Sequence, residues 1–361
     1  MKESRTTVHL VPRLSFLDCM RGAAVLMVML THFAEGRIPF FYTVNNSYVQ
    51  LGQAGVSIFF LISGYIIPRS ISSARSLKVF WIHRFFRLFP IYWCSILLAC
   101  ALAYFGLMRL PQNLKVSEIF VNFSMLQGFV GSKNVIGVFW SLKFELVFYF
   151  LMTAIAFARL MKHSFYICLA YSVGIALVAF WMYFVQGKYF AYGLFHIQLM
   201  LIGWVVSEAQ ERSSSQKQTG VVIGVGVMVA ILTAFTSFNG RDASAAGGAL
   251  TLTPMLSAWL FGLLVFLLAV SFRRSLFWPK WLSWVGQISY SAYLLHVLVQ
   301  FVLTPYLRDW GLLAIPLMLA FSFLLAWIGY RFVELPSIAF GKRVSFFWSS
   351  DKTQISAGAI K

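Results

Sequence analysis

Charged side chains are scarce in this sequence. Asp, Glu, Lys and Arg together make up 11% of its 361 residues, whereas the AVILMFWYC set makes up 60%. Soluble globular domains carry about 25% charged residues, so this chain lacks the polar surface that a soluble protein of its size needs. Long hydrophilic stretches are also lacking, and we therefore expect one membrane domain without an attached soluble domain.

Cysteine is scarce as well, with four residues in the chain. None of the four stands at a spacing typical of metal ligands, and all fall in or beside apolar runs. We interpret them as packing residues and expect no metal site. The sequence also lacks a recognisable cleavable signal. A polar N-terminal stretch precedes the first apolar run, no small-residue cleavage site follows that run, and we interpret it as the first membrane span.

The chain does contain a series of apolar runs near twenty residues long, and each is sufficient to cross about 30 Å of hydrocarbon. These runs predict an all-α polytopic bundle of about ten transmembrane helices. The connection 108–139 is mixed in character, and its segment Phe123–Phe129 is a candidate for re-entry into the membrane. The predicted spans are 16–34, 51–68, 89–107, 140–158, 164–185, 190–207, 219–238, 249–271, 284–303 and 311–332.

Lys and Arg are distributed unevenly between the predicted loops. The net charge of +18 would suggest nucleic acid in a soluble protein, but basic residues that flank spans on the cytoplasmic side explain it here. With the N-terminus placed inside, twenty Lys and Arg lie on the inner side and seven on the outer side. This bias predicts that both termini are cytoplasmic, with membrane lipids and no nucleic acid as partners. The seven predicted outer cations are Arg37, Arg109, Lys115, Lys133, Lys188, Arg241 and Arg308.

Two polar residues share one face of the first span. Arg21 and His32 stand eleven residues apart, which is about three helical turns and about 16 Å along the axis. Polar side chains inside a span usually face a cavity or the bundle interior. The plainer interpretation is a snorkelling arginine and an interfacial histidine, and this pattern alone does not separate the two.

A basic stretch precedes the third span. Within it, Arg84 and Arg87 are three residues apart and therefore share a helical face. Clustered guanidinium groups match the oxygens of phosphate, so a phosphate-bearing ligand is one interpretation. Anchoring of the chain at the cytoplasmic surface is the other, and charge alone favours it.

Two other spans contain polar interruptions. Ser63 and Gly64 interrupt the second span, where small residues permit close helix packing or backbone access to a ligand, and we favour packing. Glu145 lies in an otherwise apolar span, and we place it toward the outer side, near His32. A carboxylate there would orient the imidazole and stabilise its protonated form.

A stripe of polar aromatic residues marks the ninth span. Tyr290, Tyr293 and His296 follow one another at three-residue steps. This spacing places them on one side of a helix, where they would line a channel. Aromatic packing with one hydrogen-bonded histidine is the plainer interpretation, and it fits the tyrosines better than His296.

Taken together, these elements resemble the acyltransferase 3 family of integral membrane acyltransferases. The resemblance covers nearly the whole chain, and we assign residues 1–345 to this membrane domain and residues 346–361 to a short cytoplasmic tail. The sequence departs from the family pattern at Glu334-Leu335-Pro336, where the family has Glu-Arg-Pro, and at His196, where it often has Arg. The matching residues are Arg21 and His32; Gly55 to Gly64; Arg84, Arg87 and Pro90; Trp140, Ser141, Leu142 and Glu145; and Ser289, Tyr290, Tyr293, Leu294 and His296.

The resemblance implies transfer of an acyl group, commonly acetyl, from cytoplasmic acyl-coenzyme A to a hydroxyl of an exported or cell-surface glycan or lipid-linked saccharide. The setting would be the cytoplasmic membrane of a bacterium. His32 would act as a general base or carry the acyl group itself. A ten-helix transporter or flippase is the competing function. The residues implied are His32 and Glu145 in catalysis; Arg21, Arg84 and Arg87 in donor binding; and Ser63, Trp140, Tyr290, Tyr293 and His296 along the substrate channel.

Overall fold

A computed structural model of the protein describes residues 15–210, 216–240, 250–274 and 277–358, with side chains as far as residue 346. The described residues form α-helices and short 3-10 and π segments, without a β-strand. The helices are α1 Ser15–Ala34, α2 Pro39–Ser47, α3 Leu51–Ser73, α4 Leu77–Tyr104, α5 Val116–Phe123, α6 Leu142–Phe157, α7 Ser164–Phe180, α8 Leu194–Ala209, α9 Gln216–Phe238, α10 Leu252–Ser271, α11 Lys280–Gln287, α12 Ser289–Leu303, α13 Ala314–Gly329 and α14 Leu335–Gly358.

These helices account for all ten predicted spans. Among the described residues, eight helical stretches are long and apolar enough to cross a membrane. The pair α11 and α12, bent by 74°, makes a ninth, and the shorter apolar helix α8 occupies the position of the tenth. The prediction of an all-α polytopic bundle is therefore confirmed. The domain boundary predicted after residue 345 falls inside α14, which continues to Gly358.

Helix α3 lies at the centre of the bundle and packs against α1, α8 and α10. Its contact with α8 depends on two glycines. A Cβ atom on Gly64 would lie 1.8 Å from the carbonyl oxygen of Met200, and one on Gly203 would lie 2.2 Å from that of Leu61. Any larger residue would push the two backbones apart. The interpretation of Gly64 as a close-packing residue is thus confirmed.

The two ends of the bundle can be told apart by contacts between residues far apart in the sequence. At one end, where α1 begins, Arg69 donates to the carbonyl of Ser207 and the thiol of Cys19 donates to that of Pro279. At the other end, Gln300 donates to the carbonyl of His32. We call these the basic end and the opposite end, since most Lys and Arg flank the first. The predicted orientation would place the basic end in the cytoplasm.

The connection between α4 and α6 folds back into the bundle from the opposite end. Its carbonyls at Asn122 and Phe123 accept hydrogen bonds from Tyr92 (2.8 Å) and Trp93 (2.8 Å) of α4. Tyr92 lies twelve residues before the end of α4, which is about 18 Å along the helix axis. Consequently, α6 does not begin at the rim of the bundle. The 3-10 turn before it already meets α12, where Tyr293 donates to the carbonyl of Val138 (3.1 Å).

Candidate active site

A narrow cavity of about 90 Å³ lies among α1, α3, α4, α6 and α12. It gathers three arginines and a carboxylate from three different helices. Seven of the ten residues that the sequence predicted for donor binding, catalysis or the channel line it. They are Arg21, Ser63, Arg84, Arg87, Glu145, Tyr290 and Tyr293.

Arg87 is held by a buried ion pair with Glu334. The carboxylate of Glu334 is fully buried, and its second oxygen accepts a hydrogen bond of 2.7 Å from Ser291. A buried charge without a partner is strongly destabilising, so removal of either member would leave the other as an uncompensated charge. No role was predicted for Glu334 from the sequence. Its position in the Glu-Leu-Pro element was the available signal.

Arg84 and Arg21 are less fully engaged. Arg84 donates to the hydroxyl of Ser70 (2.7 Å), while its Nε atom is buried without a hydrogen-bond partner. Its guanidinium lies 5.7 Å from the ring centroid of Tyr149. Arg21 is half-buried and makes no hydrogen bond or ion pair with any residue that the structure describes. Two guanidinium groups in this cavity therefore retain unused capacity to bind an anion.

A second, wider cavity of about 620 Å³ opens at the basic end. Arg84 lines both cavities, so the two adjoin. The wider cavity also contains Arg69, whose guanidinium lies 4.5 Å from the ring centroid of Tyr65 and donates to the carbonyl of Ser207 (2.8 Å). Arg69 belongs to the basic stretch before the third span but was not among the residues predicted to bind the donor. Its proximity to Arg84 could not be read from their fifteen-residue separation.

Tyr290 and Tyr293 form the α12 wall of the narrow cavity. The Tyr293 hydroxyl shares a hydrogen bond of 2.8 Å with Ser141, and the Tyr290 hydroxyl donates to the carbonyl of Leu88 (3.1 Å). The Tyr293 ring lies 6.1 Å from the ring of His296, centroid to centroid. Tyr293 therefore stands between the arginine cavity and the histidines.

His32 and His296 face each other, with ring centroids 5.1 Å apart. The Nδ1 atom of His296 lies 3.1 Å from the carbonyl oxygen of Ala292 and must carry the proton, since a carbonyl only accepts. In the neutral ring its Nε2 atom is then an acceptor, and it is buried without a hydrogen-bond partner among the described residues. His32 is half-buried and lines a cavity of about 330 Å³ at the opposite end.

The predicted pairing of Glu145 with His32 is wrong. Glu145 accepts a hydrogen bond from Tyr149 and lines the arginine cavity, whereas His32 lines the cavity at the opposite end. The reason is the folded-back connection before α6, which makes this helix start deep inside the bundle. Glu145 therefore lies nearer the basic end than its place in the sequence suggested.

Trp140, predicted to line the channel, lies in an aromatic cluster instead. Its ring centroid is 5.3 Å from that of His196, which is fully buried and is also flanked by Phe60 and Phe144. Trp140 lines neither the arginine cavity nor the cavity at His32. Among the described residues, no group of three or more His, Cys, Asp or Glu side chains is arranged to hold a metal ion.

Comparison with known proteins identifies the family. A family model described as an acyltransferase domain matches residues 14–331, which is most of the chain. The chain belongs to the acyltransferase 3 family. This membership covers every helix from α1 to α13 and each residue of the arginine cavity and the histidine pair. No solved structure matches the chain.

Curated relatives include the peptidoglycan O-acetyltransferase OatA of Listeria monocytogenes, which is 25% identical over 92% of this chain and 57% of its own length. The O-acetyltransferase OatA of Staphylococcus aureus is 24% identical over 94% of this chain and 60% of its own length. The acyltransferase MdmB of Streptomyces mycarofaciens is 28% identical over 38% of each chain. The present chain thus spans no more than about three fifths of the length of these relatives.

Proposed function

We propose that this protein moves an acyl group, acetyl in the first instance, from cytoplasmic acyl-coenzyme A to a hydroxyl of a glycan on the other side of the membrane. One observation carries the proposal. Helix α1 contributes Arg21 to an arginine-lined cavity and His32 to a separate cavity at the opposite end. A site for an anionic donor and a site for acid–base chemistry are thus joined by a single helix.

The donor would enter from the basic end. Its nucleotide would occupy the wide cavity, where Arg69 and Arg84 offer guanidinium groups to phosphate oxygens. Its pantetheine arm would then extend into the narrow cavity past Arg21 and Arg87. Arg87 is already neutralised by Glu334, so we assign the main phosphate contacts to Arg84 and Arg69 and a shaping role to Arg87.

Chemistry would take place where the narrow cavity approaches the histidine pair. His32 would accept the proton of the acceptor hydroxyl while the hydroxyl oxygen attacks the thioester carbonyl. Collapse of the tetrahedral intermediate would break the C–S bond, and coenzyme A would leave as the thiol after protonation. The Nε2 atom of His296 is buried beside the His32 ring, and this suits it to position that ring. If a labelled acyl group were trapped on His32 in the absence of acceptor, His32 would instead be the covalent carrier.

The relatives support a cell-envelope acceptor, because one of them is named for peptidoglycan O-acetylation. A multi-pass protein of the bacterial cytoplasmic membrane would meet its donor inside and its acceptor outside. Glu145 remains a candidate catalytic residue. Its location beside Arg21 and Tyr149 suits it to organise the arginine cavity rather than to orient His32.

A sided transfer assay tests this proposal. The purified protein is reconstituted into vesicles in one orientation, with radiolabelled acetyl-coenzyme A supplied on the side of the basic end and glycan on the other side. We expect label on the glycan only when donor and acceptor occupy opposite sides. Movement of unmodified glycan across the membrane, without acyl transfer, would favour the transporter function and overturn the proposal.

A further inference from the structure

Two adjoining cavities at the opposite end form one groove. The first, of about 330 Å³, contains His32, and the second, of about 590 Å³, lies beside the end of α4. Gln300 and Thr304 of α12 and its following turn line both cavities. We call this continuous surface the outer groove.

The lining of the outer groove is positively charged. Arg37 and Arg308 line the first cavity and Arg109 lines the second, whereas neither lining includes Asp or Glu. These are three of only seven Lys and Arg predicted for this side of the membrane. Topological anchoring does not account for them, because anchoring cations belong on the cytoplasmic side.

The groove is supported by specific contacts. Arg37 donates to the carbonyl of Leu307 (2.9 Å), the residue directly before Arg308, and Gln300 donates to the carbonyl of His32 (2.6 Å). These bonds fix the loop after α1 and the turn after α12 against each other. The backbone beside Arg308 is therefore held against the loop after α1, and the Arg308 side chain lines the same cavity as His32.

Arg308 and Arg109 differ from Arg37 in that neither has a partner among the described residues. Both are exposed, and neither makes a hydrogen bond or an ion pair with any residue that the structure describes. The nearby carboxylate of Glu35 accepts hydrogen bonds from Asn45 (3.3 Å) and Asn46 (3.4 Å), and Asp309 does not line the groove. Guanidinium groups without a described partner, in the groove that contains His32, favour a ligand that carries negative charge.

We propose that the outer groove recognises an anionic glycan, with a carboxylate or phosphate group close to the hydroxyl that receives the acyl group. Arg308 and Arg37 hold the anion beside His32, and Arg109 contacts charge on a neighbouring sugar. The proposal rests on the proposed function, because it specifies the acceptor of that reaction. It assigns acceptor recognition to residues that the family motifs do not include.

Binding of two matched oligosaccharides tests the proposal. The probes are hyaluronan tetrasaccharide, which carries carboxylates, and a neutral tetrasaccharide of N-acetylglucosamine, each titrated against the purified protein at low salt. We expect the charged probe to bind about tenfold more tightly, as one charge-assisted contact predicts. The substitutions Arg308→Ala and Arg109→Ala should each reduce this preference, and Arg308→Lys should retain part of it.

The matched control is Lys188→Ala, which removes another exposed outer cation that lines neither cavity of the groove. Equal affinity for both probes would overturn the proposal. So would a double variant, Arg308→Ala and Arg109→Ala, that still prefers the charged probe as strongly as the wild type. So would an equal effect of the control. Loss of the preference in nanodiscs with phosphatidylglycerol, but not phosphatidylcholine, would identify the arginines as lipid contacts and overturn it as well. Acetyl-coenzyme A binding, measured on the same samples, reports separately on the proposed function.

Discussion

The arrangement of Arg69 and Arg84 leads to a prediction that distinguishes the phosphates of the donor. Arg69 lines only the wide cavity, whereas Arg84 lines the junction between the two cavities. If the nucleotide lies in the wide cavity, Arg69 contacts the 3′-phosphate and Arg84 contacts the diphosphate. Arg69→Ala should then weaken the binding of acetyl-coenzyme A but leave the binding of its 3′-dephospho analogue unchanged. Arg84→Ala should weaken the binding of both.

The magnitude follows from the contacts. A hydrogen bond to a charged group contributes about 1.5–3 kcal/mol, which corresponds to roughly 10- to 150-fold in Kd. We expect the lower part of this range for Arg69, because its guanidinium is half-buried and already engaged by Ser207 and Tyr65. A larger loss is expected for Arg84, because it lines both cavities and is assigned to the diphosphate.

Isothermal titration calorimetry in detergent, with both donors and each variant, measures these changes. Arg343→Ala is the matched control, because Arg343 is an exposed arginine near the basic end that lines neither cavity. If Arg69→Ala weakens both donors equally, the 3′-phosphate lies elsewhere. If neither arginine affects either donor beyond the control, these side chains are topological anchors and the assigned donor path is wrong.

Three further predictions concern the histidines, the buried ion pair and the orientation. His32→Ala should lower the rate of acyl transfer by about 10²–10⁴-fold while acetyl-coenzyme A binding persists. Wild-type activity should fall toward acidic pH, because the imidazole becomes protonated. Near-normal transfer by His32→Ala would place the chemistry elsewhere. His296→Ala should have a smaller effect in the same assay. Glu334→Ala should lower the free energy of unfolding in mixed micelles by about 3 kcal/mol, because it leaves Arg87 unpaired. If the double variant with Arg87→Ala loses as much as the two single variants together, the two residues are not a coupled pair. Reporter fusions in the loop after α8 should mark the cytoplasm and those in the loop after α9 the outside, and the reverse pattern would refute the assigned orientation.

The helices and part of the site could be predicted from the sequence, because these features depend on local spacing. Apolar runs of sufficient length specify spanning helices whatever surrounds them. Ser63, Arg84 and Arg87 belong to short motifs, and they do line the narrow cavity with Arg21. Gly64 was interpreted as a packing residue, and its contact with Met200 confirms this.

Contacts between distant helices could not be predicted in the same way. Glu334 pairs with Arg87 across 247 residues, and Arg69 joins Arg84 at one cavity although the two lie on separate helices. Glu145 was placed at the wrong depth, because its span was assumed to begin at the rim of the bundle. The folded-back connection before α6, fixed by hydrogen bonds from Tyr92 and Trp93, sets the true depth.

The sequence by itself determined the all-α membrane class, the positions of ten spans along the chain and the spacing of Arg21 and His32 on α1. These properties depend on local composition and on the fixed rise of about 1.5 Å per residue within one helix. The tertiary structure alone decided which side chains meet: His296 faces His32, Glu334 neutralises Arg87, and Arg37 shares a groove with Arg308. The physical reason is that partners on different helices depend on the depth and rotation of each helix, and close packing across the whole bundle sets both.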